Sequence, residues 1–219
     1  GETAGTLELE YDAPSLAGSE ENTQLEVKEG KSGKELSDGL YTMLGNRTDE
    51  DNEETDFILL YDNYGTLRTE IPIKSYRACN ILFGDDEIYF SASANELVAM
   101  DRLGRITEIY TLGDYQLHHD YIFGSREDFL VLATEEGKDT EEDRILSVDM
   151  ESGEVTEIID LADLFGDYLN TLDMENGDEE PFDWIHINSI RLIDDDSIII
   201  SSRETSTIIK VDNLYDEPS

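Results

Sequence analysis

Basic residues are scarce in this chain. Its 219 residues include 15 lysines and arginines against 54 aspartates and glutamates, a formal net charge of −39. Nucleic acids and anionic membrane surfaces are held through basic patches, so neither is expected as a partner. So many carboxylates imply a heavily solvated surface, as in an exported or salt-tolerant protein. The single cysteine, Cys79, excludes an internal disulfide framework and a multi-cysteine zinc site. No apolar run approaches the roughly 20 residues of a membrane helix, so no membrane span is expected. Glycine-rich phosphate loops, a Ser–His–Asp order and zinc motifs are also missing, and no metal or cofactor is assigned. The chain opens Gly1-Glu2-Thr3 without a methionine, which fits removal of a leader or longer N-terminal portion, or an arbitrary boundary.

What the sequence has is β patterning. Thr6 to Tyr11 alternates as a plausible edge strand, and Leu25 to Lys28 is a second short one. The mixed run KELSDGLYTMLGN has ambiguous periodicity, and the acidic run Asp49 to Asp56 reads as a solvated loop. From Phe57 the text becomes regular. Phe57 to Tyr61 is a strand, Asp62 to Gly65 a turn, and Leu67 to Ile73 a strand whose Pro72 suggests an edge. Turn signals then recur about every 8 to 12 residues. Only Ile158 to Leu169 carries helical spacing, enough for one short helix. The chain reads as all-β, divided into an N-terminal β segment with an acidic linker (1–55) and a repetitive part (56–219).

Three segments superpose: those beginning at Asn80, Asp120 and Ser189 each read strand, acidic turn, apolar strand. A third strand ending in aspartate follows each, at Leu97 to Asp101, Arg144 to Asp149 and Thr207 to Asp212. In the first two, a glycine turn leads to a fourth strand, Ile106 to Tyr110 and Val155 to Ile159. Four antiparallel strands repeated about an axis describe a β-propeller blade, here in an incomplete set of about three to four. The repeat is lengthened by two acidic insertions, Glu135 to Asp143 and Gly166 to Asp183.

The polar residues of interest lie in this register. Anchoring on Phe83, Phe123 and Leu192, the position four upstream is Cys79, His119 and Asn188; on the second strand Ser93, Thr134 and Arg203 coincide. A strand from Trp184 to Leu192 sets His186 and Asn188 on one face, with Arg203 at the end of the next strand. In propellers the first strand of each blade lines the central channel, so His119, His186 and Asn188 are expected there. Alternation sets His118 on the face opposite His119, where a satisfied structural histidine is the plainer expectation. Imidazole, amide and guanidinium groups together suit a small oxyanion. For Arg203 a salt bridge to one of the many carboxylates competes with that role. The acidic turns at Asp85 to Glu87 and Asp194 to Asp196 offer oxygen donors but lack the glycine and spacing of a calcium loop.

These motifs (DWIHINSI with IIISSRETSTIIKV, YQLHHDYIF, GTLRTEIPI and YRACNILF) resemble the bacterial arylsulfate sulfotransferases, or arylsulfotransferases, over roughly Thr55 to Pro218. The resemblance implies a six-bladed β-propeller with a small N-terminal β domain, exported from the cell. It implies transfer of a sulfuryl group from a phenolic sulfate ester to a phenol through a histidine intermediate, without a nucleotide sulfate donor or other cofactor. His119, His186 and Arg203 are then catalytic, and Asn188 and His118 contact substrate. The family's nucleophilic histidine falls beyond the equivalent of Arg203, where this chain has none. A second chain or a C-terminal portion is therefore expected to complete the ring, and this chain alone is expected to be inactive. The alternative is a non-catalytic propeller that binds ligands or proteins.

Overall fold

In the computed structural model, residues 25–28, 35–45, 56–73, 79–172 and 181–219 are described. Their regular structure is almost entirely strand. β1 (Leu40–Gly45), β2 (Asp56–Asp62) and β3 (Leu67–Ile73) form a three-stranded antiparallel sheet in that order. Phe57, Leu59 and Tyr61 alternate onto one face of β2 and bury against Leu25 and Leu67. Leu25 donates its amide to the Gly65 carbonyl but lies outside any regular strand. The strand expected at Thr6 to Tyr11 lies outside the described residues. The boundary expected after residue 55 falls between β1 and β2, which are paired neighbours.

β1, β2 from Phe57 and β3 as far as Pro72 belong to one compact unit, and the chain from Ile73 to Ser219 to another. The second unit contains three further sheets. β4 (Ile81–Phe83), β5 (Glu87–Ser93), β6 (Glu96–Asp101) and β7 (Ile106–Thr111) pair in sequence order. So do β8 (Tyr115–Phe123), β9 (Asp128–Glu135), β10 (Arg144–Asp149) and β11 (Val155–Asp160). β12 (Ile187–Asp194), β13 (Ser197–Ser202) and β14 (Thr207–Val211) form the last sheet. Up-and-down order in successive antiparallel sheets is the propeller-blade pattern. Instead of one helix over Ile158 to Leu169, β11 runs on to Asp160. Two single turns follow, α1 (Leu161–Leu164) and α2 (Gly166–Leu169), and the Asp160 side chain caps the first.

The middle blade is buried on both faces. Phe129, Val131 and Ala133 of β9 face a core shared with Tyr89, Leu97 and Tyr110 of the preceding blade. The alternate residues Leu130 and Leu132 face a second core with Ile185, Ile187, Ile190 and Ile198 of the following one. Two-sided burial explains why DFLVLA is a continuous apolar run rather than an alternation. Among the described residues, no helix is long and apolar enough to cross a membrane.

Two polar devices organise the repeat. The aspartates that end strands close the turns that follow. Asp62 accepts from the Tyr64 and Thr66 amides, Asp101 from those of Leu103 and Arg105, and Asp149 from Glu151 and Ser152. The second device is Asp120, 7% exposed. One oxygen accepts from Asn80 at 3.0 Å; the other accepts from the Ile190 amide at 3.2 Å and Arg191 at 3.0 Å. A single carboxylate thus joins three blades.

Removing it should be costly. Asp120→Ala orphans a buried amide and is expected to cost about 2–4 kcal/mol. Urea unfolding followed by Trp184, the chain's one tryptophan, checks this; an unchanged midpoint would contradict it. The turn aspartates generate a pH prediction. Hydrogen bonds from the turns hold the carboxyls of Asp62, Asp101 and Asp149 below their ordinary value of 3.8. Because the folded value is depressed, their contribution is fully present above pH 3.8 and lost as pH falls through the lower folded values. Carboxyl NMR titration should place all three midpoints below 3.8.

Candidate functional site

The first strands of the middle and last blades, β8 and β12, lie side by side, and the histidines meet where the middle of β8 passes the start of β12. In β8, Leu117 pairs with Ala133 and Tyr121 with Val131, so β8 advances four residues while β9 advances two. The two extra residues make a bulge at HHD, with His119 in the left-handed region at φ 54°. His186 precedes β12 and is left-handed too, at φ 47°. Positive φ is uncommon for non-glycine residues and collects at functional sites. The Nε2 atoms of His119 and His186 come within 2.8 Å.

Two carboxylates complete the cluster. Asp183 Oδ2 lies 2.6 Å from His186 Nδ1, and Glu142 Oε2 lies 2.5 Å from that same nitrogen and 3.4 Å from His119 Nε2. A neutral His186 that donates from Nδ1 to Asp183 presents a bare Nε2, which accepts from His119. Glu142 also has a left-handed backbone, φ 53°. Desolvation alone would raise the Glu142 carboxyl, but the surrounding histidines outweigh it and hold it below the ordinary value of 4.5. Arg203 follows β13; its amide donates to the His186 carbonyl at 3.0 Å and its guanidinium bonds Asp183 at 2.9 Å and Glu204 at 2.8 Å. Arg203 therefore has both a position at the site and carboxylate partners. Its bond to Glu204 and the charges of nearby carboxylates raise its pKa further, so it stays a cation.

Several expectations change here. His118 does not turn away from His119: the bulge breaks the alternation, the rings lie 5.4 Å apart, and His118, His119 and Glu142 offer ligand atoms within 4.8 Å of one another. Burial pushes His118 down to about 4, so the ring is neutral. The strand expected from Trp184 starts only at Ile187, and it has a bulge of its own. Ile187 pairs with Ser202 and Ser189 with Ser201, leaving Asn188 as the extra residue. Its amide oxygen accepts from Ser201 at 2.6 Å, and no hydrogen bond among the described residues joins it to the histidines.

Glu142 and Asp183 escaped the sequence reading because each sits in an acidic insertion that looked like solvated loop. The insertions pair with each other: Thr140 and Phe182 form a parallel bridge, Phe182 donates to the Asp139 carbonyl and Ile187 to that of Glu142. The one sequence signal was that both insertions end where a blade strand begins. At the root of the first, buried Arg144 lies 2.6 Å from Asp143 and 2.8 Å from Asp160, and Asp143 accepts from the Trp184 indole at 2.9 Å. Beside the site is an apolar cavity of about 320 Å³ lined by Phe165, Tyr168, Trp184, Ile185, Thr205 and Ile209.

Up-and-down blades in successive antiparallel sheets define the chain as propeller-type, and the polar cluster lies beside the first strands of two of them. A model of the family described as arylsulfotransferase (ASST) matches residues 26–218, and the chain belongs to that family. No curated protein matches. Among solved structures, a catalytically inactive virginiamycin B lyase from Staphylococcus aureus with quinupristin is similar at 17% identity and a TM-score of 0.43. The likeness covers 80% of this chain and 60% of that one.

The two arginines should behave oppositely on substitution. Arg144→Ala strands buried carboxylates and is expected to cost about 3–5 kcal/mol. Arg203→Ala removes a half-exposed guanidinium and leaves Asp183 its His186 partner, so the stability read from the urea midpoint should fall by about 1 kcal/mol or less. Equal losses in the two variants would contradict the division between scaffold and site.

Proposed function

We propose that this chain supplies the sulfuryl-binding part of an aryl-sulfate sulfotransferase, which moves a sulfuryl group from a phenolic sulfate ester to a phenol through a histidine intermediate. The observation that carries the reading is the meeting of His119 and His186 from neighbouring blades, in a chain of the arylsulfotransferase family. A sulfuryl group in transfer spreads negative charge over its oxygens, as a phosphoryl group does, and pre-aimed donors stabilise it. The Arg203 guanidinium offers a planar fork for two oxygens, exchanging its carboxylate partners for substrate. His119 donates from Nε2 to a third oxygen or to the bridging phenolic oxygen. His186, oriented by Asp183, takes the proton of the acceptor phenol at Nε2. The cavity beside Trp184 accepts the aromatic ring: Trp184 lies two residues from His186, and Thr205 two from Arg203.

The test is transfer from an aryl sulfate donor to a phenol acceptor by the full-length protein. Sulfated acceptor should form. Arg203→Ala should slow it about 10²-fold or more, as loss of one charge-stabilising donor does, and His186→Ala should abolish it. Full activity in His186→Ala would remove these residues from the mechanism. No sulfated acceptor from any phenol would favour a non-catalytic ligand-binding propeller.

A further inference from the structure

We propose that His119, His186 and Glu142 bind a divalent transition-metal ion of the zinc type, with Asp183 orienting His186 and His118 supplying a further nitrogen within reach. The donor set is mixed nitrogen and oxygen, which suits zinc and its neighbours rather than calcium or magnesium. Two imidazoles face each other through Nε2 at 2.8 Å, so a single proton now occupies the space between two good ligands. Zinc bonds of about 2.1 Å in a tetrahedron set ligand atoms about 3.3 Å apart. The rings therefore need to part by only about half an ångström. Glu142 Oε2 stands 3.4 Å from His119 Nε2 but only 2.5 Å from His186 Nδ1, so it must swing from the Nδ1 side of that ring to join the two Nε2 atoms.

Three observations indicate that this cluster is built around something more than its own contacts. Both ring nitrogens of His118 are shut away from solvent without an aligned hydrogen bond. His119, Glu142 and His186, from three separate stretches, all have left-handed backbones, a conformation that persists where surroundings impose it. And the Asp183 contact to His186 Nδ1 is the carboxylate–histidine arrangement that fixes the opposite nitrogen as a metal ligand. Negative charge favours the cation: Glu142, Asp183 and Glu204 converge here, with Arg203 bonded to the latter two.

The inference is independent of sulfuryl transfer, because metal binding is read without substrate. Full-length protein stripped with a chelator is dialysed against zinc at physiological salt with excess magnesium, and the bound metal is counted by elemental analysis. About one tightly held zinc per chain is expected, and cobalt in its place should give visible bands of a nitrogen-ligated site. His119→Ala, on a half-exposed side chain, and Glu142→Gln should each weaken zinc binding at least about tenfold while the circular dichroism stays that of a β protein. If Glu142→Gln fails to fold, His119→Ala decides. Failure to retain zinc, or zinc spread over several sites with affinity unchanged in the folded variants, overturns the proposal and assigns the binding to the acidic surface.

Discussion

The carboxylate of Asp120 is the contact on which the site depends. It reaches back to Asn80 and forward to Ile190 and Arg191, tying the first strands of three consecutive blades at one level. The residue before it is His119, and β12, which it grips, begins one residue after His186. The histidine pair can hold 2.8 Å only if β8 and β12 keep a set separation, and a buried charge with directional partners defines that separation more sharply than apolar packing does. Tyr121 adds to the tie, its hydroxyl accepting from the Ser91 amide and bonding the Asn80 carbonyl.

Around that tie the site is assembled from irregularities. Two bulges, three left-handed residues and two paired insertions deliver its side chains, while the regular strands supply only the platform. The division is physical. Strands alternate their side chains and cannot set several on one small volume, whereas a bulge redirects one without dismantling the ladder. Strain at His119, Glu142 and His186 is tolerable because rigid blades packed on both faces surround it.

The acidity has two parts. Among the described residues, most carboxylates are solvated or close turns. A few are structural: Asp143 and Asp160 neutralise buried Arg144, and Asp143 also receives Trp184, the wall of the apolar cavity. Burial raises Asp143 above its ordinary value of 3.8 despite those partners. The insertion carrying Glu142 is thus anchored at its root by an ion cluster, which keeps a loop of acidic composition in place beside the histidines.

Much of the architecture was legible in the amino-acid order, because it depends on local chemistry. Period-two apolar runs, aspartates after strands and glycines in turns each act over a few residues, so β2, β6, β10, β11 and β13 emerge close to their observed limits. The pairing of His119 with His186 was also within reach, since the sequence sets both in the first strands of neighbouring blades. What the order could not convey was any feature arising between distant segments. The bulge at HHD depends on how β9 pairs with β8, and it overturned the simple alternation that separated His118 from His119. The same holds for Asn188, turned to Ser201 by the extra residue in β12. Glu142 and Asp183 were indistinguishable from other acidic residues until the two insertions were seen to pair. Composition and periodicity determined an all-β, blade-like chain with polar first strands; only tertiary pairing decided which carboxylates face the histidines, because that depends on registers between strands and loops tens of residues apart.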